Sequence, residues 1–321
     1  MEDALRLGDL HKFFIQEGIA ADPRKSAQVE AQLRKAKSEF RKLKSSDRKF
    51  FDSEKFWNPY ADSRILNGDP ERQIKRIMVG IDIDVGELLM AKELSRSKEP
   101  IDLVLAHHPV GIALAGLCEV MDLQTDVLKN LKLPSKVAEG LMNRRIAEVS
   151  RRLHSDNHTQ TVDAARLLDV PLLSCHTPTD NHVTRYLQQR MDQKKPKTLQ
   201  NVVDLLLAEP EYRAGAALKS GPTVLVGDRK DLAGRILVDM TGGTEGSKEV
   251  FARLSQVGIN TLLCMHLSEQ HFTRVKTEFL NVVNAGHMAS DNLGINLALD
   301  KLQKKAAIDI VECSGFKRFR R

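Results

Sequence analysis

The sequence predicts an α/β protein built around a duplicated strand–helix unit. Three observations carry that reading. Short apolar runs alternate with helix-length amphipathic stretches over most of the chain, as expected of buried parallel or mixed sheets flanked by helices. The 321 residues are 41% apolar but only 5% aromatic, so the core must be built mainly from Leu, Ile, Val and Ala. Two long segments also repeat one another in order and spacing.

Residues 1–72 read as a helical, polar N-terminal extension. In "SAQVEAQLRKAKSEFRKLKS", Val29, Leu33, Phe40 and Leu43 recur at helical spacing and put one apolar stripe on a charged helix. "NPYADSRILNGDPE" is rich in turn residues and reads as loop. The first α/β unit, 73–195, opens with the strand-like "KRIMVGIDI", followed by the helix "VGELLMAKEL" and the strand "IDLVLA". "LPSKVAEGLMNRRIAEVSRRLHS" and "HTQTVDAARLLD" supply helices before the strand "VPLLSC". The second unit, 196–321, starts after a Lys/Pro linker with the helix "PKTLQNVVDLLLAE" and the strands "PTVLVG" and "GRILVDM". The Gly-rich turn "TGGTEGS", the helix "KEVFARLSQVG" and the strand "INTLLCM" come next. Helical "EQHFTRVKTEFL", a short strand "NVVNA" and the closing helix "NLGINLALDKLQKKA" complete the chain, the last free to pack back on the first unit.

The repeat lies within this order. "RIMVGIDIDVGELLMAKEL" ending at "LVLAH" aligns with "RILVDMTGGTEGSKEVFARL" ending at "TLLCMH", and Arg76 to His107 has the same spacing as Arg235 to His266. Each half then adds a strand that ends in His-x-x-x-Asp: His176 with Asp180, and His287 with Asp291. Several matches in one order indicate duplication.

Bulk features exclude several classes. The net charge of +6 comes largely from "RKAKSEFRKLKSSDRK", "QKKPK" and "FKRFRR", which read as solvated faces. Aromatic residues do not interleave with these runs in a stacking pattern, so a nucleic-acid platform is unsupported. Cys118, Cys175, Cys264 and Cys313 have neither metal-knuckle nor redox spacing. The start "MEDALRLGDL" carries early acids and no apolar signal region, and no apolar run approaches the roughly 18 residues of a membrane span. A soluble, cytoplasmic protein is expected.

The chemistry collects at strand ends. "IDLVLAHHPVG" carries an apolar strand into His107, His108 and Pro109. Neighbours on an extended strand point to opposite sides, and Pro109 favours an end to the strand, so both rings could reach different metals. His176 with Asp180, His266 with Glu269 and His271, and His287 with Asp291 also follow strand-like runs, where ligands of α/β sheets gather. Imidazole with carboxylate suits zinc, iron or manganese. The i,i+4 spacing puts His287 and Asp291 on one helical face if that helix opens at 287, whereas Pro178 favours a loop or turn for 176–180. Asp82 and Asp84 read as turn or capping residues. "TGGTEGS" lacks the Walker spacing and reads as a tight turn. No Ser-His-Asp or Cys-His nucleophile pattern stands out.

The motifs "DLVLAHHPV", "HTPTD", "SEQHF" and "NAGHMASDNLGINLALDKL", in order across roughly residues 75–305, resemble those of the dinuclear metal-centre proteins, also called NIF-three-like proteins or GTP cyclohydrolase I type 2 homologues. That resemblance implies two related, intertwined α/β units, two metals in the cleft between them and toroidal hexamers. It places the family's metal ligands on His107, His108, Asp180, His287 and Asp291. The last is usually Glu in the family; Asp is one methylene shorter. Glu269, His271 and His176 fall where proton carriers or supporting groups would stand.

Two functions are then open. One is a metal-dependent hydrolase with two divalent metals per chain, acting through an activated water on an anionic or nucleotide-like substrate, as the GTP cyclohydrolase-like name suggests. The other is a metal carrier or oligomeric interaction scaffold with no turnover.

Overall fold

A computed structural model of the chain describes residues 5–96 and 100–321. The acidic start at residues 2 and 3 lies outside the described residues. In chain order the N-terminal part contains β1 (Leu5–Arg6), α1 (Leu7–Ala21), α2 (Ser26–Lys42), β2 (Arg64–Asn67) and β3 (Gln73–Ile74). Next come β4 (Arg76–Gly80), α3 (Val85–Leu94), β5 (Leu103–Ala106) and the short helices α4 (Gly111–Ala115), α5 (Leu117–Val120) and α6 (Asp122–Asn130). Then follow α7 (Ser135–Leu153), α8 (Gln160–Leu168), β6 (Leu172–Ser174) and α9 (Thr177–Lys194). The second half carries α10 (Leu199–Leu207), α11 (Pro210–Ala217), β7 (Thr223–Val226), β8 (Ile236–Asp239), α12 (Val250–Gln256) and β9 (Thr261–Cys264). It ends with α13 (Glu269–Lys276), β10 (Asn281–Asn284), α14 (His287–Gln303) and β11 (Asp309–Glu312).

Two mixed sheets organise these elements. The first has the order β11-β4-β5-β6-β2 and the second β7-β10-β9-β8. In the first, β4, β5 and β6 run parallel and β2 is antiparallel to β6. In the second, β8, β9 and β10 run parallel and β7 is antiparallel to β10. The duplication read from the sequence is therefore present in the topology, each half carrying three parallel strands and one antiparallel edge. A helix follows the third parallel strand in each half, α9 after β6 and α14 after β10.

The halves interleave. β11, from the end of the chain, joins the first sheet parallel to β4. Ile295, Leu299 and Leu302 of α14 share one core with Ile77, Leu103 and Leu173 of the first sheet. The same core takes Leu7, Leu10 and Phe14 of α1, so half of the polar-looking extension is buried framework. By contrast α2 buries only Val29 and Ala36, and its Phe40 packs against Phe51 and Phe56 at 5.3 Å.

Two local expectations are corrected. "NPYADSRILNGDPE" is not all loop, because Arg64–Asn67 forms edge strand β2, with the Arg64 guanidinium paired to Asp52 and Glu54. The 176–180 segment is the opening of α9. Pro178 sits in the first helical turn, where no intrahelical N–H donor is needed. The basic C-terminus is also less free than it reads. Arg318 pairs with Asp300 at 2.5 Å, and Arg321 with Glu211 at 2.5 Å.

α9 and α14 cross at close range. A Cβ on Gly294 would lie 2.4 Å from the Thr179 carbonyl oxygen, which no side chain can tolerate, so glycine sets the approach of the two helices. α14 begins at Gly286, whose φ of +101° suits glycine and whose Cβ would lie 2.6 Å from the Ser220 carbonyl oxygen. The crossing brings the first turns of both helices to the ends of β5 and β6.

Candidate metal centre

The strand ends converge as their motifs suggest. β5 delivers His107 and His108, with both backbone amides tied to the chain leaving β4: His107 N–H donates to Gly80 and His108 N–H to Ile81, each at 2.9 Å. The end of β6 delivers His176, the first turn of α9 Asp180, and the first two turns of α14 His287 and Asp291. One ligand atom from each of His107, His108 and His176 lies within 4.8 Å of the others. The same holds for His108, His287 and Asp291, and for His107, Asp180 and Asp291.

The distances within the cluster are informative. His107 Nε2 lies 3.4 Å from Asp291 Oδ1 and 3.5 Å from Asp180 Oδ1. His108 Nε2 and His287 Nε2 each lie 3.5 Å from Asp291 Oδ2, and His176 Nε2 lies 3.5 Å from Asp180 Oδ2. These gaps are long for hydrogen bonds. They match the edge of a tetrahedron, about 3.4 Å, around an ion bound at roughly 2.0–2.2 Å. Both oxygens of Asp291, Asp180 Oδ1 and His107 Nε2 are buried without a hydrogen-bond partner. Buried polar atoms almost always have partners, so this concentration of exceptions fits a cation. One Asp291 oxygen faces His107, the other faces His108 and His287.

A surrounding layer fixes the rings. His176 Nδ1 donates to Asp62 at 2.9 Å, and Thr177 Oγ1 donates to the same carboxylate at 2.6 Å. His108 Nδ1 donates to Asp82 at 2.6 Å. His107 Nδ1 lies 3.3 Å from the Cys175 carbonyl and 3.1 Å from Thr179 Oγ1. In all three rings Nδ1 is engaged outward and Nε2 faces the centre, the orientation that supporting carboxylates and carbonyls impose on metal-binding histidines.

Electrostatics follow burial and these acids. His107, Asp180, His176 and Asp291 are buried, while the side chains of His108 and His287 are 25% and 37% exposed and form the open side. Burial raises Asp291, but His107 and His108 outweigh it and hold the carboxyl well below the usual range. Burial pushes Asp180 up to about 6. Burial pulls His176 down, but Asp180 and Asp62 overcome it and raise it to about 9. His287 is lowered to about 4 by burial.

Of the expected proton carriers, His176 stands in the cluster and Glu269 and His271 stand outside it. Glu269 opens α13 on the surface. His271 is buried with both ring nitrogens engaged, Nδ1 with Ser268 Oγ at 2.7 Å and Nε2 with the Gly246 carbonyl at 2.9 Å, so it anchors the Gly-rich turn. An acid that faces the cleft from this side is Glu245, in "TGGTEGS", 3.6 Å from His266 Nδ1. Burial raises Glu245, but His266 and the Ser268 amide outweigh it and lower it to about 2. The His266 ring packs edge-on to that of His287 at 4.7 Å. Of the acids read as turn residues, Asp84 caps α3 and Asp82 holds His108. Asp62 carried no sequence signal beyond being one aspartate in a turn-rich stretch.

No family model matches the chain, and no curated protein does. Among solved structures the chain is similar to a NIF3 superfamily protein from Sphaerobacter thermophilus, 29% identical, with a TM-score of 0.69 over 79% of this chain and 91% of that one. HcgD from Methanocaldococcus jannaschii, in its reduced form, is 16% identical over 78% and 88% of the two chains, with a TM-score of 0.47. Protein SA1388 from Staphylococcus aureus is 10% identical over 97% of each chain, with a TM-score of 0.49. The architecture agrees with the first of these, and the chain is NIF3-like.

Proposed function

We propose that the cluster holds two divalent metal ions per chain and that the protein is a metal-dependent hydrolase. One observation carries the reading: the two oxygens of buried Asp291 face two different histidine sets at 3.4–3.5 Å and have no other partner. His107 and Asp180 complete one set, with His176 beside them; His108 and His287 complete the other. Nitrogen and carboxylate donors without thiolate suit zinc, iron or manganese. Such a pair supplies Lewis acidity and an activated water near neutral pH. The chain's own part is to hold the donors rigidly through Asp62, Asp82 and Thr179, to keep the inner donors from bulk water, and to leave His108 and His287 facing the cleft. His266, between Glu245 and His287, is the group placed to move a proton at the open side.

The open side equally serves ion exchange, which favours a metal carrier as the second reading. A panel of esters, amides, phosphoesters and nucleotides assayed with the metal-loaded protein separates them. Release of product that disappears with chelator and in His108→Ala supports the hydrolase; a silent panel with tightly bound, exchangeable metal supports the carrier. We further propose a homohexamer in the cytoplasm. Exposed Leu218, Leu232 and Phe279, at 74%, 75% and 97%, support association, and four free thiols support a reducing compartment. A solution mass of six chains tests the assembly. Among the described residues no helix is long and apolar enough to cross a membrane.

A further inference from the structure

Beside the cluster lies a cavity of about 340 Å³ running between α4–α6 and the second sheet. Its mouth carries His108, His176, Asp180 and His287, and its body is lined by leucines, Met142 and Phe251. That volume is in the range of small-molecule pockets. Among the described residues no Lys or Arg lines it; apart from the histidines, its charged groups are Asp180, Asp239 and Glu245. The basic runs that give the chain its positive charge therefore do not reach the site.

The Gly-rich turn is held in place by Gln124. Gln124 lies against Gly242 and Gly246, and its Nε2 donates to the carbonyls of Gly242 at 2.9 Å and Thr244 at 2.6 Å. Apart from bound metal ions, protein sites for phosphate rely on Arg, Lys or converging amides. Away from the cluster at its mouth, a phosphate in this cavity would meet Asp239, Glu245 and an apolar wall.

We propose that the site takes an uncharged molecule with an apolar body, whose carbonyl, amide or hydroxyl head meets the histidine–aspartate cluster, and not a nucleotide. This rests on the metal-centre reading above and narrows its substrate class. A hydroxamic acid is neutral in solution near pH 7 and chelates metal on losing its proton, so acetohydroxamate and octanohydroxamate share one head and differ mainly in what the cavity must accept.

The experiment is calorimetric titration of the zinc-loaded full chain with both hydroxamates, guanosine monophosphate and inorganic phosphate, with zinc per chain measured on the same sample. Each buried methylene contributes roughly fourfold in affinity. Octanohydroxamate should therefore bind at least about 100-fold tighter than acetohydroxamate, and tighter than either phosphate compound. Leu114→Trp, on the partly exposed wall, should remove the chain-length gain and leave acetohydroxamate binding and zinc content in place, which also shows that the variant is folded. Equal affinity for the two hydroxamates, or tighter binding of guanosine monophosphate than of octanohydroxamate, in protein that holds zinc overturns this proposal and leaves the metal centre standing. A chain that takes up no zinc overturns the centre and this inference with it.

Discussion

His107 follows β5 and His266 follows β9, and the same spacing separates each from the arginine that opens its half. Their surroundings differ. The His107 side chain is 1% exposed, with Nδ1 engaged by Cys175 and Thr179 and Nε2 aimed at Asp180 and Asp291. The His266 side chain is 42% exposed, faces Glu245 and packs on His287. Duplication supplies equivalent positions, but a strand-end histidine becomes a candidate ligand only where acids converge on it. Both helix starts, α9 and α14, send their aspartate to the first half's histidines; in the second half Asp291 also faces His287, while His266 receives neither aspartate. The site is therefore lopsided on a symmetric scaffold.

The largest effect should come from the crossing that creates this asymmetry. Gly294→Val would push α14 from α9 at the Thr179 carbonyl, and chemical denaturation should show a loss of at least about 2 kcal/mol together with loss of bound metal. A variant of unchanged stability would mean that the helices are not held at this contact. Next is Asp291→Ala, which removes the group shared by both histidine sets. Elemental analysis should find metal below one ion per chain in a folded protein; two retained ions would remove Asp291 from the centre.

Asp62→Asn tests the supporting layer. A carboxylate behind a metal-binding histidine is worth roughly 10–100-fold in metal affinity, so competition with a chelator should show weakening in that range. Acidity gives a further test of the buried first half. His176 is raised to about 9, so at neutral pH the metal-free ring carries a proton that a metal must displace. Metal affinity should rise as pH climbs from 6 towards 9, by up to about tenfold per unit for one proton, with proton release on loading. A flat profile would mean that His176 takes no part. The smallest effect belongs to the second half: His266→Ala should leave metal stoichiometry unchanged while slowing any hydrolysis.

Much of the site was legible because its donors sit at strand ends, where short apolar runs stop at His107, His176 and His287. The i,i+4 pair of His287 and Asp291 was readable because helix spacing is local. What was hidden depends on long-range packing. Asp62 sits more than one hundred residues from His176 in sequence, in a segment whose turn residues mask the edge strand that follows. Glu245 lies in a turn whose glycines speak of backbone shape and not of the acid they expose to the cleft. Pro178 misled locally, because the same residue that breaks a helix interior is welcome in its first turn. β11 was missed because "DIVE" is short and acidic at both ends, with its strand identity supplied by pairing to β4.

The central claim is that Asp291 joins two metal-binding sets. Its most direct test is metal content per chain by inductively coupled plasma mass spectrometry, on protein purified without chelator or affinity metal. The account predicts about two ions per chain for two donor sets of nitrogen and carboxylate. No metal, even after reloading with zinc, manganese and iron, would contradict it and leave the histidine cluster as a structural feature.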